Sequence, residues 1–210
     1  APTLALGTGV ADGANATEAI QAGGVVAVTG ETGASIAVTF TNGANTVTKT
    51  VTGTGAAQAV TLAAGDLTTL GDGTISVGAV ATDTAGNAGS AGSSSFSLDA
   101  TAPAAPTVTL SATQAVVTDA AFNVALGANK AVGDVVQLQV GGANVGTAVT
   151  LDAAAVTAGT VSISIVKTAL AAGANTVTAI VTDAVGNVGT ASANLPITYA
   201  SGTVSDGYLD

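Results

Sequence analysis

The chain repeats itself over a period of one hundred residues. Residues 82–89 (TDTAGNAG) return as residues 182–189 (TDAVGNVG), and the motif APTVTL from Ala105 repeats the N-terminal APTLAL. Self-similarity at a fixed period indicates repeated structural units. The sequence therefore predicts one domain at residues 1–101 and a second at 102–200, joined by a Pro-containing linker. It predicts the start of a following linker or module at 201–210.

Both halves are dominated by Val, Thr and Ile at alternating positions, separated by turn residues about every eight to twelve positions. This pattern is typical of half-buried strands in a β-sandwich. We predict an all-β fold of two tandem immunoglobulin-like β-sandwiches with about seven strands each. Ile36, Val38 and Phe40 are expected on one buried face, and Asn42-Gly43 is the strongest hairpin signal.

Three segments depart from the strand pattern. Residues 12–23 read as a polar, Gly-rich excursion, and residues 63–70 as a short helical turn. Residues 152–158 predict a short helix that has Asp152 as its N-cap.

The hydrophobic residues, 48% of the chain, are mostly Ala and Val, and only 2% of the residues are aromatic. Small side chains bury little apolar surface, so a core made of them leaves a small margin over chain entropy. We therefore expect stabilisation from outside the core. Disulfide bonds cannot supply it, because the chain has no Cys.

The chain is strongly acidic, with 3 Lys against 13 Asp and Glu, a net charge of −10 and no His. Such a surface disfavours nucleic acid and anionic membranes as partners. It favours a divalent cation, and Ca²⁺ prefers carboxylate and carbonyl oxygens. No apolar run approaches the roughly 18–20 residues of a membrane span, so we predict no membrane insertion.

The residue inventory argues against an enzyme. No His, Cys or Arg is present, and neither a phosphate-binding loop nor a nucleophile elbow appears. A pair of carboxylates can hydrolyse glycosides, but the aromatic rings that stack against sugars are nearly missing. We predict that the chain is not an enzyme.

The candidate site consists of acidic residues at strand ends. Asp83 and Asp183 each end a long strand and begin a tight hairpin, which in an immunoglobulin-like sandwich lies at the pole where the chain enters the domain. Asp99 lies in the linker LDATAPAAP, which leads to the same pole of the second repeat. We therefore expect Asp99 and Asp183 to converge. A Ca²⁺ ion bound by about six to eight oxygens would offset their repulsion.

Other oxygens are available to complete this shell. They are provided by Asn187, by linker carbonyls such as that of Thr101, and by Asp134, which ends the turn AVGD. Glu31 is taken as the counterpart of Asp134 in the first repeat. With Asp83 it gives a second metal candidate at the N-terminal pole.

An alternative interpretation of these Asp residues is ordinary hairpin chemistry. An Asp that begins a turn accepts hydrogen bonds from its own downstream backbone. Repetition does not separate the two interpretations, since a repeated turn repeats its residues.

The stretch TDTAGNAG…FSLDATAPAAPTVTL resembles the tandem bacterial immunoglobulin-like repeats of giant secreted adhesins, the biofilm-associated and repeats-in-toxin adhesin families. The resemblance rests on the Asp-x-x-Gly-Asn hairpin and the Asp-x-Thr-x-Pro linker, and the end of the second repeat lacks another such linker. It implies a monomeric extender whose partners are neighbouring repeats of the same chain, stiffened by Ca²⁺ between them. It also implies type I secretion to the bacterial surface, where the repeats project an adhesive domain for adhesion or biofilm formation.

Two other functions stay open. One is a module that binds carbohydrate or another surface ligand, which predicts clustered aromatics or an exposed metal. The other is a spacer that binds no metal.

Overall fold

The computed structural model describes residues 1–111 and 120–199. The chain divides into two compact units, Ala1–Thr101 and Ala102–Asp210. The tail predicted at 201–210 lies outside the described residues. No described helix is long and apolar enough to cross a membrane.

Unit 1 is a sandwich of a three-stranded and a four-stranded antiparallel sheet. The orders are β1-β2-β5 and β4-β3-β6-β7. The strands are β1 (Thr3–Leu6), β2 (Val26–Thr29), β3 (Ser35–Asn42), β4 (Asn45–Thr52), β5 (Gln58–Val60), β6 (Gly73–Thr82) and β7 (Gly92–Leu98).

The core of unit 1 lies between these sheets. Ile36, Val38 and Phe40 alternate along β3 and are all fully buried, which confirms the face predicted for this strand. The β3–β4 hairpin turns at Gly43, where φ is 58°, a conformation that glycine adopts without strain.

The segment 12–23 is not only a loop, because it contains the helix α1 (Ala16–Ala19). Asn15 Oδ1 accepts the backbone N–H groups of Thr17 and Glu18, both at 2.9 Å. Glu18 in turn accepts the N–H of Asn15 at 3.1 Å. This reciprocal capping box stabilises a helix start that the Gly-rich composition obscured.

A second helix, α2 (Ala64–Leu70), forms where the helical turn was predicted and buries Leu67 and Leu70. The Asn42 side-chain amide holds its C-terminal end. Its Nδ2 donates to the carbonyls of Leu70 at 3.0 Å, Gly71 at 3.3 Å and Asp72 at 3.0 Å. The Leu70 and Gly71 carbonyls belong to the group that a helix end leaves without internal partners, and Asp72 follows the C-cap.

Unit 2 repeats this plan with sheets β12-β9-β8 and β11-β10-β13-β14. Its strands are β8 (Thr107–Leu110), β9 (Ala120–Ala125), β10 (Val135–Val140), β11 (Ala143–Thr150), β12 (Thr160–Ile165), β13 (Gly173–Thr182) and β14 (Leu195–Tyr199). Each described unit thus has seven strands, as predicted, and the fold is two tandem β-sandwiches.

The helix predicted after β11 is confirmed as α3 (Ala153–Ala158). Asp152 is its N-cap and accepts the N–H of Ala155 at 2.8 Å. A 3₁₀ turn at Lys167–Ala169 follows β12.

Unit 2 includes residues that precede its first strand. The Ala104 N–H donates to the Ala128 carbonyl at 3.1 Å. A Cβ on Gly127 would lie 2.8 Å from the Ala104 oxygen, and a Cβ on Gly189 would collide with the Pro103 oxygen. Residues 103–104 therefore pack so closely on unit 2 that both opposing positions must be glycine.

Candidate functional site

Asp83 organises the hairpin that follows β6. Its Oδ1 accepts the N–H groups of Ala85 at 2.9 Å and Asn87 at 2.8 Å, and its Oδ2 accepts Asn87 Nδ2 at 2.8 Å. The hydrogen bond from the Asn87 side chain, followed by that from the Asn87 backbone, lowers the pKa of Asp83 below its ordinary value of 3.8. Donors directed at a carboxylate favour its charged form.

Asp183 makes the same bonds in unit 2. It accepts the N–H groups of Val185 at 3.1 Å and Asn187 at 2.7 Å, and Asn187 Nδ2 at 2.8 Å. The hairpin interpretation of the repeated Asp is therefore correct for both units. It does not exclude a metal, because a carboxylate has about four lone-pair sites and three donors leave one open.

The structure brings Asp134 and Asp183 together within unit 2. Val135 at the start of β10 pairs with Thr182 at the end of β13, so Asp134 and Asp183 are the next residues on these neighbouring strands. The adjoining turn lies close by, since a Cβ on Gly133 would be 3.4 Å from the Ala184 Cβ. Two of the predicted calcium ligands thus share one end of one sheet.

Asp134 is buried but incompletely hydrogen-bonded. Its side chain is 1% exposed, and its Oδ2 accepts the Ala131 N–H at 2.8 Å. Its Oδ1 is buried and, among the described residues, has no hydrogen-bond partner. An unsatisfied buried carboxylate oxygen is costly, so this atom requires a donor or a cation.

The equivalence assumed between Glu31 and Asp134 is wrong. Ser35 pairs with Thr82 in unit 1 as Val135 pairs with Thr182 in unit 2, so the counterpart of Asp134 is Ala34. The two turns also match in their bonds, with Ala34 N–H donating to the Glu31 carbonyl and Asp134 N–H to the Ala131 carbonyl. The error arose because a motif-level comparison does not fix the strand register.

Glu31 and Asp83 nevertheless lie at the same pole of unit 1. Both line a cavity of about 290 Å³ that also borders Ala34 and Asn87. This pole has two carboxylates on the cavity wall but no counterpart of the buried Asp134 carboxylate.

Asp99 and Thr101 belong to unit 1, where they are bonded to each other. The Thr101 N–H donates to Asp99 Oδ1 at 3.2 Å, and the Asp99 N–H donates to the Ala14 carbonyl at 3.0 Å. The convergence of Asp99 with Asp183 joins one residue of each unit and stays a prediction.

Within residues 1–111 and 120–199, no three Asp, Glu, His or Cys side chains form a group that could hold a metal ion. A Ca²⁺ ion at Asp134 and Asp183 would therefore take further ligands from amide, carbonyl or water oxygens, as such sites commonly do.

No protein-family model matches the chain, and no curated protein matches it. Similar solved structures include fibronectin(III)-like modules of CbhA from Clostridium thermocellum, with 16% identity, a TM-score of 0.48 and 94% coverage of each chain. The FN1–FN3 domains of chicken CNTN1 are 12% identical with a TM-score of 0.43, over 95% of this chain and 66% of that one.

A third similar structure is a tetra-tandem repeat in the extending region of a large adhesion protein. It is 23% identical with a TM-score of 0.37 over 94% of this chain. The present chain spans about half of that structure, 48% of its length. At these TM-scores the likenesses carry no conclusion about function, and the assignment of the fold rests on the strand order in each unit.

Proposed function

We propose that this chain is a structural extender segment of a bacterial cell-surface adhesin. Its two sandwiches add length and carry an adhesive domain away from the cell for adhesion or biofilm formation. The observation that supports this role is that both units have the same strand order, the same register between their central strands (β3 with β6, β10 with β13) and the same Asp-anchored hairpin, one hundred residues apart. A repeated unit of this kind suits a mechanical task.

The alternative role in carbohydrate or surface-ligand binding has no specific support in the described residues. Phe40, Phe96 and Phe122 are at most 5% exposed and pack in the cores, and Tyr199 is partly buried against the core of unit 2. These rings stabilise the sandwiches rather than offering a flat face to a sugar.

The proposal includes Ca²⁺ at the junction between the repeats. The residues that would hold it are Asp99, Thr101, Asp134, Asp183 and Asn187. Two observations support it: the Asp134 Oδ1 atom is buried and unpartnered among the described residues, and Asp183 lies at the neighbouring strand end. Bound Ca²⁺ would supply the positive charge that balances the Asp134 and Asp183 carboxylates.

The second metal candidate, Glu31 with Asp83, has weaker support. Ala34 stands at the position of Asp134, so the pole of unit 1 has no buried carboxylate oxygen that requires a cation.

A calcium-stabilised extender would act outside the cell, on the bacterial surface, after type I secretion as a monomer. Ligand that binds only the folded state adds RT ln(1 + [L]/Kd) to stability. At about 1 mM Ca²⁺ and the roughly 10⁻⁴–10⁻³ M affinity of extracellular modules, one site contributes about 0.4–1.4 kcal/mol. This energy is small for a whole unit but sufficient to bias a hinge.

Small-angle scattering and rotational diffusion of the purified chain, in Ca²⁺ and in EDTA, test the proposal. Ca²⁺ is expected to reduce flexibility in the wild type, and Asp99→Asn or Asp183→Asn is expected to abolish this response. Asp12→Asn is the control for the loss of one negative charge, because Asp12 is exposed in unit 1 and belongs to neither metal candidate; it should leave the response intact.

Identical scattering in both conditions would contradict the calcium junction. The extender role itself is tested in the parent adhesin by deleting both units, which should shorten the reach of its adhesive domain measured by atomic force microscopy. Binding of the purified chain to a glycan array would instead favour the carbohydrate-binding alternative.

A further inference from the structure

Strand β4 of unit 1 ends its sheet with an open edge. The strand is eight residues long (Asn45–Thr52) and, among the described residues, pairs only with β3. The Gly53 N–H donates to the Ala34 carbonyl at 2.8 Å, and bonded and non-bonded pairs alternate along an antiparallel ladder. Every second residue of β4 therefore directs its backbone N–H and carbonyl groups away from β3. These residues are Thr46, Thr48, Thr50 and Thr52.

This edge is accessible and regular. The four threonines are exposed, and no hydrogen bond from another segment of the described chain reaches their backbone groups. The register between β3 and β4 is unbroken over all eight pairs, and β4 contains neither Pro nor Gly. A straight row of unpaired backbone groups is a template for a further strand.

Unit 2 protects the corresponding strand, β11. The register of β11 with β10 shifts between Val136 and Leu138. Gly146 within β11 has a φ of 69°, and a Cβ on it would lie 2.7 Å from the Ser164 carbonyl oxygen of β12. A bulge and close packing by a neighbouring segment both hinder pairing at a sheet edge. The open edge is therefore a property of unit 1 and not a requirement of the fold.

The sequence of β4 is self-complementary. Residues 46–52 (TVTKTVT) read the same in both directions from Lys49. If two copies of β4 align antiparallel with Lys49 opposite Lys49, every residue with outward backbone groups meets another such residue. The facing pairs are Thr48 with Thr50, Thr46 with Thr52, and, between them, Val47 with Val51. A two-fold interface requires this kind of match, because the same surface serves both partners.

The charges of β4 allow this alignment. A lysine on an edge strand ordinarily hinders pairing. Here Lys49 lies on the inward side of β4, where its Nζ forms an ion pair with Asp66 Oδ2 of α2 at 2.6 Å. Two copies of Lys49 placed opposite each other would thus each keep a counter-ion. The strand has no acidic residue although the chain has a net charge of −10, so the repulsion between two copies is least at this edge.

We propose that the β4 edge of unit 1 is a self-association site, at which a second copy of this chain adds its own β4 in antiparallel register about Lys49. The pairing joins two four-stranded sheets into one of eight strands. This inference goes beyond the proposed function, because it assigns a lateral contact between neighbouring molecules. One pair of strands forms a small interface of the weak, transient class, so the chain is secreted as a monomer and pairs where copies are crowded.

Sedimentation equilibrium of the full chain in EDTA tests the proposal, and EDTA removes any contribution from calcium. A reversible monomer–dimer equilibrium is expected as the protein concentration rises to about 1 mM, as for other weak interfaces. Thr48→Asp and Thr50→Lys each place two like charges diagonally across the two-fold axis. Each variant alone should therefore self-associate about fivefold more weakly than the wild type, or less. Both positions are exposed, and circular dichroism checks that the variants are folded.

A mixture of the two variants tests the register. The carboxylate introduced by Thr48→Asp would directly face the ammonium introduced by Thr50→Lys, so a heterodimer should form at least as readily as the wild-type dimer. The control mixture combines Thr48→Asp with Thr46→Lys. The same charges are present there, but in the proposed register residue 46 faces residue 52, so this mixture should pair about fivefold more weakly than the matched one. Fluorescence-detected sedimentation with one variant labelled measures both mixtures.

Three results would overturn the proposal. One is a wild type that stays monomeric at about 1 mM, where a weak interface is populated. Another is unchanged self-association of Thr48→Asp and Thr50→Lys, which would place the contact elsewhere on the chain. The third is equal pairing of the matched and control mixtures, which would exclude the register about Lys49.

Discussion

Asp134 and Ala34 occupy the same position in two matching turns, one residue before the strand pairs Val135–Thr182 and Ser35–Thr82. Both are buried, at 1% and 3% exposure. Since unit 1 forms this turn with alanine, the fold does not require a carboxylate there. The burial of a carboxylate at this position in unit 2 is the feature on which the proposed calcium site depends.

The first prediction concerns Asp134→Ala. The wild type is expected to melt about 2–10 °C higher in about 1 mM Ca²⁺ than in EDTA, which follows from one site of extracellular affinity in a domain of this size. The variant should lose this difference, because alanine offers the ion no oxygen. Differential scanning calorimetry in both buffers measures it.

Asp12→Asn is a suitable control for the loss of one negative charge, since Asp12 is exposed in unit 1. A variant at position 134 that keeps the full calcium response would show that the unpartnered oxygen has another purpose.

The second prediction compares Gly189→Ala with Gly89→Ala. Alanine at 189 would force its Cβ against the Pro103 carbonyl, and overpacking of this kind costs about 1–3 kcal/mol. Alanine at 89 has room and should change the free energy of unfolding by less than about 1 kcal/mol. Calorimetric melting of both variants measures the difference. Equal stability would mean that the backbone at Pro103 moves away from the added Cβ at little cost.

The third prediction is the acid sensitivity of the hairpin of unit 1. The folded pKa of Asp83 lies below its ordinary value of 3.8. The charged carboxylate therefore contributes stability that is fully present above the unfolded pKa and is lost as pH falls through the folded pKa. Asp83→Asn should be less stable than the wild type near neutral pH.

This difference should narrow below about pH 4, when the wild-type carboxylate becomes protonated as well. Melting temperatures of both proteins between pH 2 and pH 7 measure it. A constant difference across this range would assign the effect to packing rather than to charge.

The fourth prediction concerns the hydrogen bonds by which Asn42, in the β3–β4 hairpin, holds the C-terminal end of α2. Asn42→Ala removes the amide that serves three carbonyls at the end of α2, and its loss should cost about 1–3 kcal/mol. Asn45→Ala is the matched control on the same hairpin, because Asn45 makes one long contact to Leu70 at 3.4 Å and should cost less than about 0.5 kcal/mol. Urea denaturation followed by circular dichroism measures the free energy of unfolding of both variants. Equal losses of stability would show that the Asn42 amide does not hold the end of α2.

The sequence pattern correctly predicted the features that depend on residues close in sequence, namely a buried strand face and a helix N-cap. Alternation placed Ile36, Val38 and Phe40 inside, and Asp152 was recognised as an N-cap, because burial faces and caps depend on residues close in sequence. The helix α1 was missed although its capping box, Asn15 with Glu18, was present in the sequence. Surrounding glycines and polar residues hid that signal.

The details of the candidate site depend on contacts that the sequence does not record. The hairpin bonds of Asp183 follow from its own turn, and sequence reasoning allowed for them. The mismatch between Glu31 and Asp134 became visible only from the strand register. The burial of Asp134 Oδ1 depends on how the turn packs, which no spacing rule supplies.

The close packing at Gly189 also determines where unit 2 begins as a folded domain. Its first strand starts at Thr107, yet Ala104 is hydrogen-bonded to Ala128 and Pro103 covers Gly189. A fragment that began at Thr107 would expose Gly127 and Gly189, and the Ala128 carbonyl would lose its hydrogen-bond donor. Domain exchange or recombinant expression that respects this unit must start no later than Ala102.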